Sequence, residues 1–197
     1  ASLFCEIGQR YKIGLLFLPD CAIIKCMFPG NGRSERSGFP LAGNPDNTMI
    51  AIGCDHAGYP LKQELLAHLY AKGIAYEDLG CDGTPCDYPR IAQAVCEKII
   101  SGSCECGILI CGTGIGMSIA ANKIPGIRAS VCADEFSTRY TRLHNNANVL
   151  CLGARVIGSG LALELADIFL ETGFEGGRHQ RRLDMITQLE AAYTKGE

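Results

Sequence analysis

The sequence predicts an α/β fold, an open parallel sheet of five strands with helices on both faces. From Met49 onward, short strand-like segments alternate with helical segments, which is typical of parallel strands joined by crossover helices. The third strand-like segment, Gly107–Cys111, is apolar throughout, as expected of a strand that is covered on both faces. In such sheets, ligands bind beyond the carboxyl ends of the strands, so the loops that leave the strands are candidate sites.

The predicted elements follow one another along the chain. Five strands are expected, at Met49–Cys54, Ala75–Leu79, Gly107–Cys111, Arg128–Ala133 and Val149–Leu152. Six helices are expected, at Pro60–Lys72, at Asp87–Ile100, at Ile115–Lys123, from an Asp134 cap to His144, at Ser159–Leu170 and at Arg178–Tyr193. Leucines recur on one face of the first helix, and Gly73 ends it. Pro89 suits the first turn of the second helix, and Asp134 is a favoured N-cap residue for the fourth.

Residues 1–48 differ from the rest of the chain. Gly and Pro residues interrupt them, and no helical or strand period is sustained. We therefore expect an extension of unknown role, outside a catalytic domain at 49–197. The apolar run Ile13–Leu18 ends at Pro19 and is too short to span a bilayer, so no membrane association is expected.

The composition of the chain indicates which binding partners and which cellular compartment to expect. The formal net charge is -3, so nucleic acid is not an expected partner, and an anion site would need a local cluster of Arg and His. The 12 cysteines include no C-x-x-C pair, and several lie in apolar runs, which favours a reducing, cytoplasmic setting. Zinc is a weaker alternative, because none of the 4 histidines pairs with a cysteine at finger spacing.

The strongest local signal is the loop after the third strand, which begins at Cys111. Gly112, Gly114 and Gly116 alternate in it before a helix begins. Glycines let backbone N–H groups approach an anion, and a helix N-terminus beside a thiol favours the thiolate. A packed cysteine before an ordinary tight turn explains the segment equally well at this level. Dinucleotide binding is a weaker rival, because the loop reads G-x-G-x-G and follows the third strand rather than the first.

Further polar residues stand at the ends of other elements. Asp55 and His56 follow the first strand, and Tyr88 stands between Asp87 and Pro89 at the start of the second helix. Asp55 and His56 are suited to bind sugar hydroxyls or phosphate. Helix capping is the alternative that explains Asp55 and Asp87, but it leaves Tyr88 unexplained.

The last group of candidates flanks the fifth strand and opens the last helix. His144 and Asn145 precede the fifth strand, where a C-capping loop is the alternative interpretation, and Arg155 follows that strand. Arg178 and Arg182 are four residues apart and share a helix face, as a phosphate clamp requires; a solvated basic turn is the alternative.

Taken together, these segments occur in the same order in type B ribose-5-phosphate isomerases, which the sequence resembles from Met49 to Glu190. The resemblance rests on Gly53–Gly58, Asp87–Pro89, the Cys111–Gly116 loop with Ala120–Lys123, His144–Asn145, Gly153–Arg155 and Gly176–Gln180. It implies a Rossmann-like fold, no metal or other cofactor, and a homodimer or dimer of dimers. It also implies active sites shared between subunits, with Arg178 and Arg182 reaching across.

The resemblance implies a role for each candidate residue in interconverting ribose 5-phosphate and ribulose 5-phosphate. His144 helps to open the sugar ring, the Cys111 thiolate transfers the proton, and Thr113 binds a substrate oxygen or passes a proton. Substrate binding falls to Asp55, His56, Tyr88, Gly112, Gly114, Gly116, Asn145, Arg155, Arg178 and Arg182. Isomerases of allose or galactose 6-phosphate are the alternatives within the family. A non-catalytic sugar-phosphate binding module is the alternative outside it, and such a module has no need of Cys111.

Overall fold

Strands and helices alternate through residues 49–194, the part of the chain that the computed structural model describes. The expected extension at residues 1–48 lies outside the described residues. The strands are β1 (Met49–Cys54), β2 (Ala75–Asp78), β3 (Cys106–Cys111), β4 (Ala129–Val131) and β5 (Val149–Gly153). The helices are α1 (Tyr59–Ala71), α2 (Tyr88–Ile100), α3 (Ile115–Ala121), α4 (Glu135–Asn145), α5 (Ser159–Glu171) and α6 (Arg178–Thr194).

Every predicted element is present, and the boundaries differ from prediction by two residues at most. The largest shifts are at the ends of β4 and α3, which each stop two residues earlier than predicted. The shift of α3 lies at the turn between α3 and β4. There the Asn122 side chain bonds both the N–H and the C=O of Ala129, each at 2.8 Å, and so bends the chain out of the helix. The expected Asp134 cap is also confirmed, since its Oδ1 accepts the Ser137 N–H at 2.7 Å.

All strand pairs are parallel, and the strand order is β2-β1-β3-β5-β4. Alternate strand residues face two separate cores. Ile108 and Ile110 of β3 pack in the core that includes α1 and α5, whereas Leu109 and Cys111 pack in the core that includes α2 and α3. The predicted five-stranded sheet with helices on both faces is therefore confirmed. No helix among residues 49–194 is long and apolar enough to cross a membrane.

The strand order fixes where a ligand can enter. After β1 the chain continues toward β2, which lies on one side of the β1–β3 pair. After β3 it continues toward β4 and β5, which lie on the opposite side of this pair. The loops after β1 and β3 therefore diverge and open a crevice at the carboxyl edge of the sheet. Helix α4 returns the chain from this carboxyl edge to the amino edge, where β5 begins.

Candidate active site

The crevice at the carboxyl edge holds a cavity of about 250 Å³. Apart from Ala57, its lining consists of eight of the predicted site residues: Asp55, His56, Tyr88, Cys111, Gly112, Thr113, Gly116 and Arg155. A second cleft of about 230 Å³ lies between the starts of α1 and α5. Its lining includes Glu64 but no cationic side chain, so it does not suit an anion.

Cys111 is the last residue of β3 and lies at the wall of the cavity. Only 5% of the residue is exposed, yet it contributes to the cavity lining. The Gly114 N–H donates to Cys111 Sγ at 3.1 Å. Gly114 has φ 78°, in the left-handed region, which lets the backbone turn back toward the sulfur.

Several other cysteines of β3 and its surroundings are buried in the two cores. Burial raises the pKa of Cys96 and of Cys104 to about 11, and that of Cys106 to about 12. These thiols are therefore neutral near pH 7 and act as small apolar side chains in the cores. Burial also raises the pKa of Cys132 and of Cys151, which agrees, together with Cys96, with the expectation for the cysteines in apolar runs.

The glycine loop is held between Tyr88 and Arg155. A Cβ at Gly116 would lie 3.0 Å from the Tyr88 ring, and one at Gly112 would lie 3.6 Å from Arg155 Cδ. The chain after β5 is tied to the same loop, because the Arg155 N–H donates to the Gly112 carbonyl at 3.0 Å. These contacts bring a guanidinium, a phenol and the loop backbone to one cavity.

Asp55 shapes the opposite wall of the cavity. Its Oδ1 accepts the N–H groups of Ala57 and Gly58, at 2.9 and 3.0 Å. The N-cap position of α1 is Gly58, so Asp55 organises the preceding turn rather than capping the helix. His56 follows in the same turn and lines the cavity.

Five predicted site residues are not part of this lining: Gly114, which lies within the glycine loop itself, and His144, Asn145, Arg178 and Arg182. His144 lies at the end of α4, at the amino edge of the sheet, before β5 begins. Because β5 has five residues, the two edges are about 16 Å apart. Arg178 begins α6 beside the end of α4, and His179 stacks on His144 with ring centroids 4.0 Å apart. One chain therefore does not assemble all the predicted residues around one cavity.

The cluster at the amino edge includes two residues without a role in the sequence-based prediction, Glu175 and His179. Both residues lie in the Glu175–His179 segment, in which the sequence pattern points to the arginine and gives no separate role to the glutamate or the histidine. Ligand atoms of His144, Glu175 and His179 lie within 4.8 Å of one another, as a metal site requires. However, the two imidazole rings are nearly parallel, at 10°, and in-plane lone pairs of parallel rings do not converge on one ion. The Arg178 Nε–H also donates to His179 Nε2, so the arrangement is not preformed for a metal.

Comparison with known proteins gives consistent matches. A family model described as ribose/galactose isomerase matches residues 50–186. Ribose-5-phosphate isomerase B of Escherichia coli is 48% identical over 142 residues, which cover 72% of this chain and 95% of that protein. The solved ribose-5-phosphate isomerase B of Clostridium thermocellum is similar with a TM-score of 0.73 and 47% identity, over 74% of this chain and 99% of that one. The enzyme of Mycoplasma genitalium, solved with bound ribulose 5-phosphate, matches with a TM-score of 0.70 and 41% identity, over 73% and 97% of the two chains.

Proposed function

The chain belongs to the ribose/galactose isomerase family, and we propose that it interconverts ribose 5-phosphate and ribulose 5-phosphate. The observation that carries this proposal is the position of Cys111. Its thiol lies at the wall of a cavity that also presents a carboxylate, an imidazole and a guanidinium, from Asp55, His56 and Arg155. A base beside anion-binding groups is what an enediolate reaction on a sugar phosphate needs.

In the proposed chemistry, the Cys111 thiolate removes the proton from the carbon next to the substrate carbonyl and returns it to the neighbouring carbon. The C–H electron pair moves into the enediolate, and negative charge develops on the carbonyl oxygen. Backbone N–H groups of the glycine loop then stabilise that oxygen, and one such preorganised donor typically contributes ~3–4 kcal/mol to the transition state. Thr113 passes the proton of the C2 hydroxyl to the oxygen at C1, Tyr88 binds substrate hydroxyls, and His56 and Arg155 bind the phosphate.

We assign ring opening to His144, and this assignment calls for a second copy of the chain. Within one chain, His144 and Arg178 are at the amino edge of the sheet and Cys111 is at the carboxyl edge. A homodimer in which each copy presents His144, Asn145, Arg178 and Arg182 to the cavity of the other would complete two sites.

Exposed apolar side chains around the cavity support this dimer. They lie in α3, in β4, at the start of α4 and in the loop after β5: Ile115, Ile119, Val131, Phe136 and Val156. Exposed apolar side chains of this size are typical of a surface that another protein covers. The two added guanidinium groups would also balance the charge of the substrate phosphate.

Co-expression of two defective chains tests both the activity and the shared site. Cys111→Ala and His144→Ala chains, each inactive alone, should together recover about a quarter of wild-type turnover of ribose 5-phosphate. Half of the dimers would be mixed, and each mixed dimer would hold one intact site. Separate tags on the two chains verify that mixed dimers form. Mixed dimers without activity above the single variants would contradict the shared site.

The same assay decides the substrate. Allose 6-phosphate and galactose 6-phosphate should be poorer substrates in kcat/KM than ribose 5-phosphate, and a preference for either hexose would contradict the pentose assignment.

We also propose that the catalytic domain starts at Met49, so a chain that begins there should keep its turnover. We further propose a cytoplasmic enzyme, because the cysteines of the described residues are all free, as in a reducing compartment.

A further inference from the structure

The His144 imidazole is held on one face and at one edge by other rings. Its face stacks on His179, with centroids 4.0 Å apart and planes 10° apart. Tyr140 meets it edge-on, at 4.8 Å and 72°. Although the His144 side chain is 33% exposed, these two contacts restrict rotation of the ring about its side-chain torsions.

His179 is the buried member of this stack, only 4% exposed. The Arg178 Nε–H donates to His179 Nε2 at 3.3 Å, so this nitrogen acts as an acceptor and carries no proton. Burial, followed by the nearby charges of His144 and Arg178, lowers the pKa of His179 below its usual 6.5. A neutral ring can stack on His144 in either protonation state of His144, because no like-charge repulsion arises.

Glu175 supplies the negative charge next to the stack. Its Oε2 is 3.7 Å from His144 Nε2 and 3.4 Å from His179 Nε2. Since Arg178 already donates to the His179 nitrogen, the negative charge of the carboxylate favours a proton at His144 Nε2, the nitrogen 3.7 Å away, through electrostatic attraction. The position of Glu175 is itself fixed, because its backbone N–H donates to the Leu143 carbonyl at 3.0 Å in the last turn of α4.

We infer that Glu175 and His179 are positioning residues for His144. The Glu175 carboxylate favours the proton on Nε2, which leaves the Nδ1 lone pair free to take the proton of the anomeric hydroxyl and return it to the ring oxygen. The His179 ring sets the plane of this imidazole. A carboxylate that orients a catalytic histidine through its second nitrogen is a recurring device in enzymes. This inference rests on the proposed function, in which His144 opens the ring.

Ribulose 5-phosphate separates ring opening from proton transfer. Its O5 carries the phosphate, so the ketose cannot close a five-membered ring and binds as an open chain. In deuterium oxide, Cys111 removes a proton from C1, the thiol exchanges with solvent, and a deuteron returns to C1. This exchange needs the enediolate chemistry but no ring opening.

The test measures ribose 5-phosphate turnover and deuterium uptake at C1 of ribulose 5-phosphate in the same variants. Glu175→Gln and His179→Ala should lower turnover about tenfold or more, because a displaced catalytic group loses its alignment. Both should keep the wild-type exchange rate. His179→Phe, which retains a flat ring, should recover part of the turnover. The matched control is Glu171→Gln, which removes another exposed carboxylate of the same region and should change neither rate.

The outcomes separate this inference from the proposed function. Exchange that falls in proportion to turnover would indicate a general structural role for the two residues, and unchanged turnover would indicate no role; either result overturns the inference. A wild-type protein that neither turns over ribose 5-phosphate nor exchanges the ketose would refute the proposed function itself. If His179→Ala does not fold, Glu175→Gln decides the question, because half of the Glu175 side chain is exposed.

Discussion

The Gly114 N–H and Cys111 Sγ are joined by a 3.1 Å hydrogen bond across the turn that follows β3. The bond fixes the sulfur at the cavity wall, where it accepts the Gly114 N–H. Gly114 reaches this geometry with a positive φ, and a Cβ there would lie 3.2 Å from Val131 Cγ1. The sulfur is therefore positioned by a turn that no other residue type adopts as readily.

Replacing Cys111 should abolish chemistry and leave binding intact. In Cys111→Ala, we expect kcat to fall by about 10²–10⁴-fold, the range typical of a lost proton-transfer group, with Kd for ribose 5-phosphate nearly unchanged. Steady-state kinetics and calorimetry measure the two quantities. Cys104→Ala is the matched control, because it also removes a buried thiol but lies before β3, at the other end of that strand. Equal losses of binding and rate in Cys111→Ala would indicate a packing role.

A methyl group at Gly153 should disturb the glycine loop. A Cβ at this position would lie 2.8 Å from the C and O atoms of Thr113, so the loop backbone must move. We expect Gly153→Ala to lower the free energy of unfolding by about 1–3 kcal/mol and to reduce turnover. Gly160→Ala is the control, since Gly160 lies in α5 with open space around it and should be neutral or stabilising. Urea unfolding that gives equal stabilities for the two variants would contradict the prediction.

A buried ion pair should stabilise the segment that leads to Tyr88. Lys62 is only 2% exposed, and its Nζ donates to Asp78 Oδ2 at 2.8 Å and to the Cys81 carbonyl at 3.1 Å. Asp78→Asn leaves the buried ammonium without its counter-ion, so we expect a loss on the order of 3 kcal/mol in the free energy of unfolding.

Two comparisons make the ion-pair prediction specific. Lys62→Met removes the charge but keeps the apolar stem, and it should cost less than Asp78→Asn. Glu77→Gln breaks the more exposed pair with Lys98 and should cost ~1 kcal/mol or less. If Asp78→Asn lowers the free energy of unfolding by less than Glu77→Gln does, the burial of Lys62 does not strengthen its ion pair, contrary to the prediction.

Features that depend on contacts between residues close in sequence are predictable from the sequence, whereas features that depend on contacts between distant residues are less so. Element periods and the Asp134 cap are local patterns, and the structure confirms them. The separation of His144 from Cys111 also follows from element order, because His144 precedes β5 whereas the cavity lies beyond the carboxyl ends of the strands. The burial of Lys62 was not predictable, because a lysine on an amphipathic helix ordinarily faces water. The approach of Glu175 to His144 depends on how residues 172–177 fold back on α4, and no local pattern specifies that path.

Removing one guanidinium of the proposed phosphate clamp should weaken substrate binding. We expect Arg178→Ala to raise KM by about 10–100-fold, the effect of one lost charge-assisted hydrogen bond. Arg181→Ala is the matched control, since it removes a neighbouring charge from a different face of α6 and should leave KM nearly unchanged. An unchanged KM in Arg178→Ala would exclude this residue from the phosphate site.

The histidine stack should make stability depend on pH below neutrality. Burial is the main cause that lowers the pKa of His179 from 6.5 in the folded protein, so the unfolded chain takes up this proton first as the pH falls. The contribution to stability is therefore complete above about pH 6.5 and is lost below it. The groups that face the ring are His144, Glu175, Arg178 and Arg182. They remain in His179→Phe, so urea unfolding of the wild type between about pH 7.5 and 5.5 should show a steeper loss of stability than unfolding of this variant. Equal slopes for the two proteins would mean that His179 titrates alike in the folded and unfolded chain, contrary to its burial against a second imidazole.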